Sequence, residues 1–234
     1  MALSICDHVN PDLSIGLLAD DLTGALDCAA PFAARGFNTF VALDGGSEPD
    51  VRHMVVSVNA DTRRLTADDA RKRLATGTNF LSGRSVRMVK IDSTMRGHPG
   101  VEGEETARAC DAEIVLLTPA FPGNGRTVRD GNVHVDGVLL ADTEVGQDPL
   151  SPLETSSVGE VLSEHSSLRQ VELPLEQVRS GDLLRQLTEI AKREDSPAAV
   201  ICDAETDDDL LRIAKAGMEL ESVLFILWRC FGRL

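Results

Sequence analysis

Lys90-Ile91-Asp92-Ser93-Thr94-Met95-Arg96-Gly97 gathers a cation, a carboxylate, two hydroxyls, a second cation and a glycine. Such a set suits a small polar anion. Cations grip a carboxylate, hydroxyls and an acid hold other hydroxyls, and Gly97 lets the backbone come close. Charges at the end of a buried strand cost free energy unless they are paired or put to use. That favours a functional reading over chance placement.

Other segments carry weaker signals. In Asp20-Asp21-Leu22-Thr23-Gly24-Ala25, one Asp can orient or deprotonate a substrate hydroxyl, and Thr23-Gly24 can open a helix N-terminus that favours anions. The plainer reading is that Asp21 or Thr23 caps the helix. In Asp61-Thr62-Arg63-Arg64, Arg63 has the fork to clamp a carboxylate. Alone, a solvated turn pairing with Asp68 or Asp69 explains it better. Arg126, after Pro119-Ala120-Phe121-Pro122, is placed to reach a ligand, yet turn chemistry alone accounts for the prolines and glycines. His98 and His134 receive no role. Histidines and cysteines lack metal-ligand spacing, and no Walker A loop or GxGxxG fingerprint marks a nucleotide site.

These clusters need elements to position them. Apolar runs predict strands at Leu13–Ala19, Phe37–Leu43, His53–Asn59, Val86–Ile91, Ile114–Leu117, Val171–Leu173, Ala198–Cys202 and Val223–Trp228. Helices are predicted between them: Thr23–Arg35 closed by Gly36, a Thr66-capped helix to about Phe80, Val101–Cys110, Val158–His165, Leu175–Lys192 with a break at Ser180-Gly181, and one after Thr206. Two short runs flanking Asp136-Gly137 predict a hairpin. The expected fold is a three-layer α/β domain with a mostly parallel sheet, helices on both faces and that hairpin as an excursion. Polar residues fall at several strand ends, at Asp20 and Asp21, 59–63, 90–96 and Asp203. Ligands of open α/β sheets bind at such ends.

Composition narrows the partners. The formal net charge of −15 over 234 residues argues against nucleic acid and anionic membranes. Seven Phe, one Trp and no Tyr leave an aliphatic core. Five scattered cysteines suggest reduced thiols, and with neither a signal peptide nor a bilayer-length apolar run this predicts a cytoplasmic protein.

Taken together, Ala19–Ala25, Asp61–Arg63, Lys90–Gly97 and Pro119–Arg126 resemble, in order, the motifs of the four-carbon acid sugar kinase family. The resemblance covers about residues 13–224. It implies ATP-dependent phosphorylation of a tetronate such as threonate, erythronate or an oxo-tetronate. Asp20 and Asp21 become candidate catalytic residues. Asp20, Asp21, Thr23, Arg63, Lys90, Asp92, Ser93, Thr94 and Arg96 become candidate substrate contacts. The resemblance places ATP and Mg in a C-terminal half, so no cofactor and no metal are expected on this chain. The expected organisation is a tail at 1–12, the acid-sugar-binding domain at 13–228, and an atypical tail at 229–234 where the nucleotide-binding domain would begin. A frameshifted or truncated kinase is one expectation. The alternative is a non-catalytic relic, of the kind labelled Hrp-dependent type III effector. Expected partners are a small sugar acid, plus either a second copy of the chain or a complementing ATP-binding domain.

Overall fold

The computed structural model describes residues 13–44, 54–148, 152–193 and 197–228. The expected tails at 1–12 and 229–234 and the start of the strand at His53 lie outside these residues. Eight strands form one sheet in the order β2 (Thr39–Ala42), β3 (Val55–Asn59), β1 (Ile15–Ala19), β4 (Val86–Lys90), β11 (Val223–Leu227), β5 (Ile114–Thr118), β10 (Ala198–Cys202) and β9 (Arg169–Leu173). Every neighbouring pair is parallel. The six inner strands are buried along their whole length. That is why they read as continuous apolar runs and not as alternating ones.

Helices cover both faces. On one, α1 (Leu22–Ala33) packs on β1, β2 and β3, while α5 (Leu175–Val178) and α6 (Leu183–Ala191) pack on α7 (Asp207–Met218). Gly217 brings α7 within reach of Phe225 and Leu116 on that face. On the other, α2 (Ala67–Gly77) packs on α3 (Pro99–Ala109), and α3 on α4 (Val158–Ser163). Gly103 there lets α3 approach Ile226, a residue that alternation turns away from Phe225.

Chain order sets the site. From β1 the chain runs outward through α1 to the edge strand β2 and returns by β3. From β4 it runs the opposite way, through α3 to β5. The direction of winding therefore reverses between neighbouring β1 and β4. A crevice opens at the C-terminal ends of strands at such a reversal.

A second, antiparallel sheet contains β6 (Arg126–Arg129), β7 (Asn132–Val135) and β8 (Val138–Leu139). The expected hairpin is β7–β8, turning through Asp136 and Gly137, both at positive φ. Strand β6 was not expected. The turn residues Gly123 and Gly125 hide it, and its pairing with β7 supplies the order that local sequence does not. The long helix expected at 175–192 is two helices, α5 and α6, broken at Ser180–Asp182 as the Ser-Gly pair suggests. Cys110 and Cys202 are free and buried. Cys28 is in a disulfide, which corrects the all-thiol expectation at that residue. No helix among the described residues is long and apolar enough to cross a membrane.

Candidate functional site

Asp20 and Asp21 follow the last residue of β1, and Asp92 follows β4 by one residue. Ala19 lies beside both Asn59 and Lys90 in the sheet. The turn after β3 is bent back over this point, because Thr62 N–H and Arg63 N–H donate to the Asp20 carbonyl at 3.0 and 3.2 Å. Arg63 is thereby delivered to the crevice. Its Nε and Nη2 fork the Asp20 carboxylate at 2.6 and 2.8 Å, and Nη1 donates to Asp21 Oδ2 at 2.5 Å.

Asp21 does two jobs. Its Oδ1 accepts from Gly24 N–H at 2.7 Å and caps α1, while its other oxygen binds Arg63. Gly24 is required here: a Cβ would fall 2.8 Å from Asp21 Oδ1 and 3.1 Å from Lys90 Cγ. On the β4 side, Asp92 accepts Arg96 Nε and Nη2 at 2.9 and 3.0 Å, and also both the backbone N–H and the hydroxyl of Thr94. The turn tightens through Met95 and Gly97, both at positive φ. Gly97 passes beside the Arg63 backbone and Cγ, and its positive φ would strain any other side chain there. Lys90 is buried, donates to the Ile91 carbonyl at 2.7 Å, and places Nζ 5.4 Å from the Trp228 ring centroid. Trp228 in turn stacks on Phe121, centroids 4.0 Å apart.

Burial and pairing tune these charges. Burial raises Asp20 above the usual carboxylate value, against the opposing hydrogen bond and charge of Arg63. Burial also lowers Lys90, with the nearby Arg63 charge acting in the same direction and Asp20 resisting. Burial opposes ionisation of Asp92 too, but the hydrogen bonds from Arg96 and Thr94 outweigh it and hold that carboxyl well below its usual range. Burial alone would lower Arg63, yet its hydrogen bond to Asp20 leaves it raised. Carboxylates and cations alternate across the crevice. Such an arrangement recognises a ligand carrying both hydroxyls and an anionic group.

The sugar-binding N-terminal domain family matches residues 15–230. The chain belongs to this family. It is 35% identical over 216 residues to a D-threonate kinase of Cupriavidus necator, 32% over 210 to one of Salmonella typhimurium, and 28% over 207 to a D-erythronate kinase of Heliobacterium modesticaldum. These alignments cover 86–89% of the chain and 47–50% of each relative, so the chain spans about half the length of the kinases it matches. A solved Bordetella bronchiseptica protein, a domain of unknown function described as a domain-swapped dimer with bound citrate, superposes with a TM-score of 0.75 at 28% identity. That match covers 92% of this chain and 54% of the other.

The sugar-binding domain brings together Asp20, Asp21, Arg63, Lys90, Asp92, Thr94 and Arg96, with Ser93 buried among them. Thr23 is exposed in the first turn of α1, and Asp21, not Thr23, caps the helix. Asp203 stands apart at the end of β10, where its carboxylate accepts the N–H groups of Asp130 and Gly131 at 2.7 and 3.0 Å. It ties down the small sheet and does not join the crevice.

Sequence reasoning missed Glu102. It is buried in the first turn of α3, and its Oε1 accepts the Thr62 hydroxyl at 2.6 Å, which locks the Arg63 turn to α3. Burial, reinforced by the Asp20 charge, pushes its carboxyl up to about 8. The available signal was its i,i+4 spacing to Thr106, which places two polar residues on one helix face. The Phe121–Trp228 pair was also missed, because nothing local joins the two segments. An apolar cleft of about 820 Å³ lies at the opposite, N-terminal end of the strands, lined by Ile15, Phe32, Val86 and Met88. Arg212, Lys215 and Glu219 also line it, and none of the crevice residues does. Among the described residues no group of acids, histidines or cysteines fits a metal ion.

Proposed function

We propose that this domain binds a four-carbon sugar acid at the C-terminal ends of β1, β3 and β4 and presents one of its hydroxyls for phosphorylation. One observation carries the reading. The Asp20–Arg63–Asp21 and Asp92–Arg96 pairs, with Lys90 between them, converge at the winding reversal of a fold whose relatives are threonate, erythronate and 3-oxo-tetronate kinases. Citrate, the ligand of the Bordetella protein, is likewise a hydroxy acid.

In this reading Asp20 and Asp21 hold the attacking hydroxyl, and one of them takes its proton as the oxygen attacks phosphorus. Burial has already moved Asp20 toward proton affinity, the direction a base requires. Arg63 keeps both carboxylates in place. Lys90 and Arg96 offset charge on the transferred group, and Asp92, Ser93 and Thr94 contact the remaining hydroxyls. Phosphoryl transfer rests mainly on positioning and charge stabilisation, which these residues supply.

Among the described residues no group of acids, histidines or cysteines fits a metal ion, and the sequence carries no Walker A loop or GxGxxG fingerprint for ATP. No step is assigned through ATP or Mg. A nucleotide-binding half, continuous with the domain or separate, would supply the phosphoryl group, and the 234 residues alone would bind without turnover. The dimeric Bordetella relative supports a second copy as one partner.

Calorimetric titration of the purified chain with D-threonate, D-erythronate and 3-oxo-tetronate tests the reading. Saturable binding lost in Asp92→Ala is the expected outcome. Absence of binding to every sugar acid would sink it and leave the non-catalytic relic. ATP-dependent phosphorylation by the 234 residues alone would overturn the division of labour.

A further inference from the structure

We propose that Arg126 is the anchor for the carboxylate of the bound sugar acid, an inference that rests on the function proposed above. The cations of the crevice are already engaged by the protein. Arg63 directs Nε, Nη1 and Nη2 at Asp20 and Asp21, and Arg96 directs Nε and Nη2 at Asp92. Lys90 donates to Ile91. Arg63 and Arg96 are each paired with a carboxylate, and the Asp20 charge acts on Lys90. A ligand carboxylate entering among them also meets those acids, so a cation without an acidic partner would hold it better.

Arg126 is such a cation. Its side chain makes no hydrogen bond or ion pair among the described residues, and its Nε is buried without a partner. A buried donor left unpaired costs free energy that a ligand can recover. Its placement points the same way. Arg126 and Phe121 exchange both backbone hydrogen bonds, at 2.8 and 3.1 Å, as an antiparallel pair. Residues directly opposite in such a pair turn their side chains to the same face. Phe121 uses that face to stack on Trp228, whose ring borders Lys90. Two residues on, Val128 shares the face, is buried, and bridges to Ala204 at the end of β10. Arg126 thus carries a buried Nε without a partner, stands opposite Phe121, whose ring leads through Trp228 to Lys90, and has the planar fork that fits a carboxylate.

The same guanidinium could instead meet a phosphate of the phosphoryl donor, so the test separates the two anions. D-threonate, its neutral amide threonamide and inorganic phosphate are titrated into the wild-type chain, Arg126→Ala and Arg126→Lys. Arg126 has no partner to orphan, and melting curves of the three chains should coincide. Arg126→Ala should bind D-threonate about 10- to 100-fold more weakly. Threonamide binding should be unchanged by the substitution, and Arg126→Lys should fall between. Equal losses for D-threonate and threonamide would overturn the assignment, as would undiminished D-threonate binding. Loss confined to phosphate would give Arg126 to the donor and overturn it too. If the wild-type chain binds no sugar acid, the function itself fails and takes this assignment with it, a result distinct from binding that ignores Arg126.

Discussion

The β1–β4 end of the sheet and the β10–β9 end both finish in buried aspartates, yet they are built on different partners. Asp20 and Asp92 face guanidinium groups that come from elsewhere in the chain or from the next turn. Asp203 faces two backbone N–H groups of the β6–β7 turn. Backbone donors are fixed, and they consume the carboxylate in holding a loop. Guanidinium groups sit on long side chains that can shift toward a ligand, and they leave further N–H groups to offer. The two ends thus differ in what their acids hold: a loop at one, cationic side chains at the other.

The largest effect should come from Asp20→Ala. It removes two of the three hydrogen bonds of Arg63, which keeps Asp21, and should cost about 1.5–3 kcal/mol of stability. Sugar-acid binding should vanish; unaltered binding would remove Asp20 from the site. Urea denaturation and calorimetry read the two effects.

Glu102 asks how far the charged end extends into the fold. Its carboxyl is raised from 4.5 to about 8, so the folded chain keeps a proton that the unfolded chain has lost. Stability should then fall as pH rises from about 4.5 to 8, and level off beyond, by on the order of a few kcal/mol. Glu102→Gln keeps an acceptor for Thr62 and never ionises, so its unfolding midpoint should be flatter across that window. Parallel slopes for the two chains would show Glu102 to be an ordinary surface-like acid.

The smallest effect belongs to the other end. Asp203→Ala should cost about 1–3 kcal/mol by freeing the buried Gly131 N–H and the part-buried Asp130 N–H. Sugar-acid affinity should fall far less than in Asp20→Ala, because Asp203 acts on the ligand only through the small sheet that carries Arg126. A large affinity loss would erase the distinction between the two ends.

The parallel sheet was legible because its inner strands are buried on both faces and read as unbroken apolar runs. The chemistry of Asp20, Asp21, Lys90 and Asp92 was legible because it follows those runs directly. Partner identity was not. Nothing local says that Arg63 reaches back to Asp20 across 43 positions, while Asp203 takes the N–H groups of a turn 72–73 positions earlier. Glu102 was hidden for the same reason: it looks like a first-turn acid favoured by the helix dipole, and only tertiary packing buries it. Strand β6 was masked by the glycines before it and is defined by its pairing with β7.

Trp228 gives the crevice an optical readout. It is the one tryptophan in a sequence without tyrosine. Its indole lies between Phe121 and the ammonium of Lys90. Near-ultraviolet emission from these 234 residues thus comes almost entirely from a ring beside Lys90 at the β1–β4 crevice. A ligand that draws Lys90 away from the ring changes the brightness of the whole chain, and occupancy becomes visible without a label.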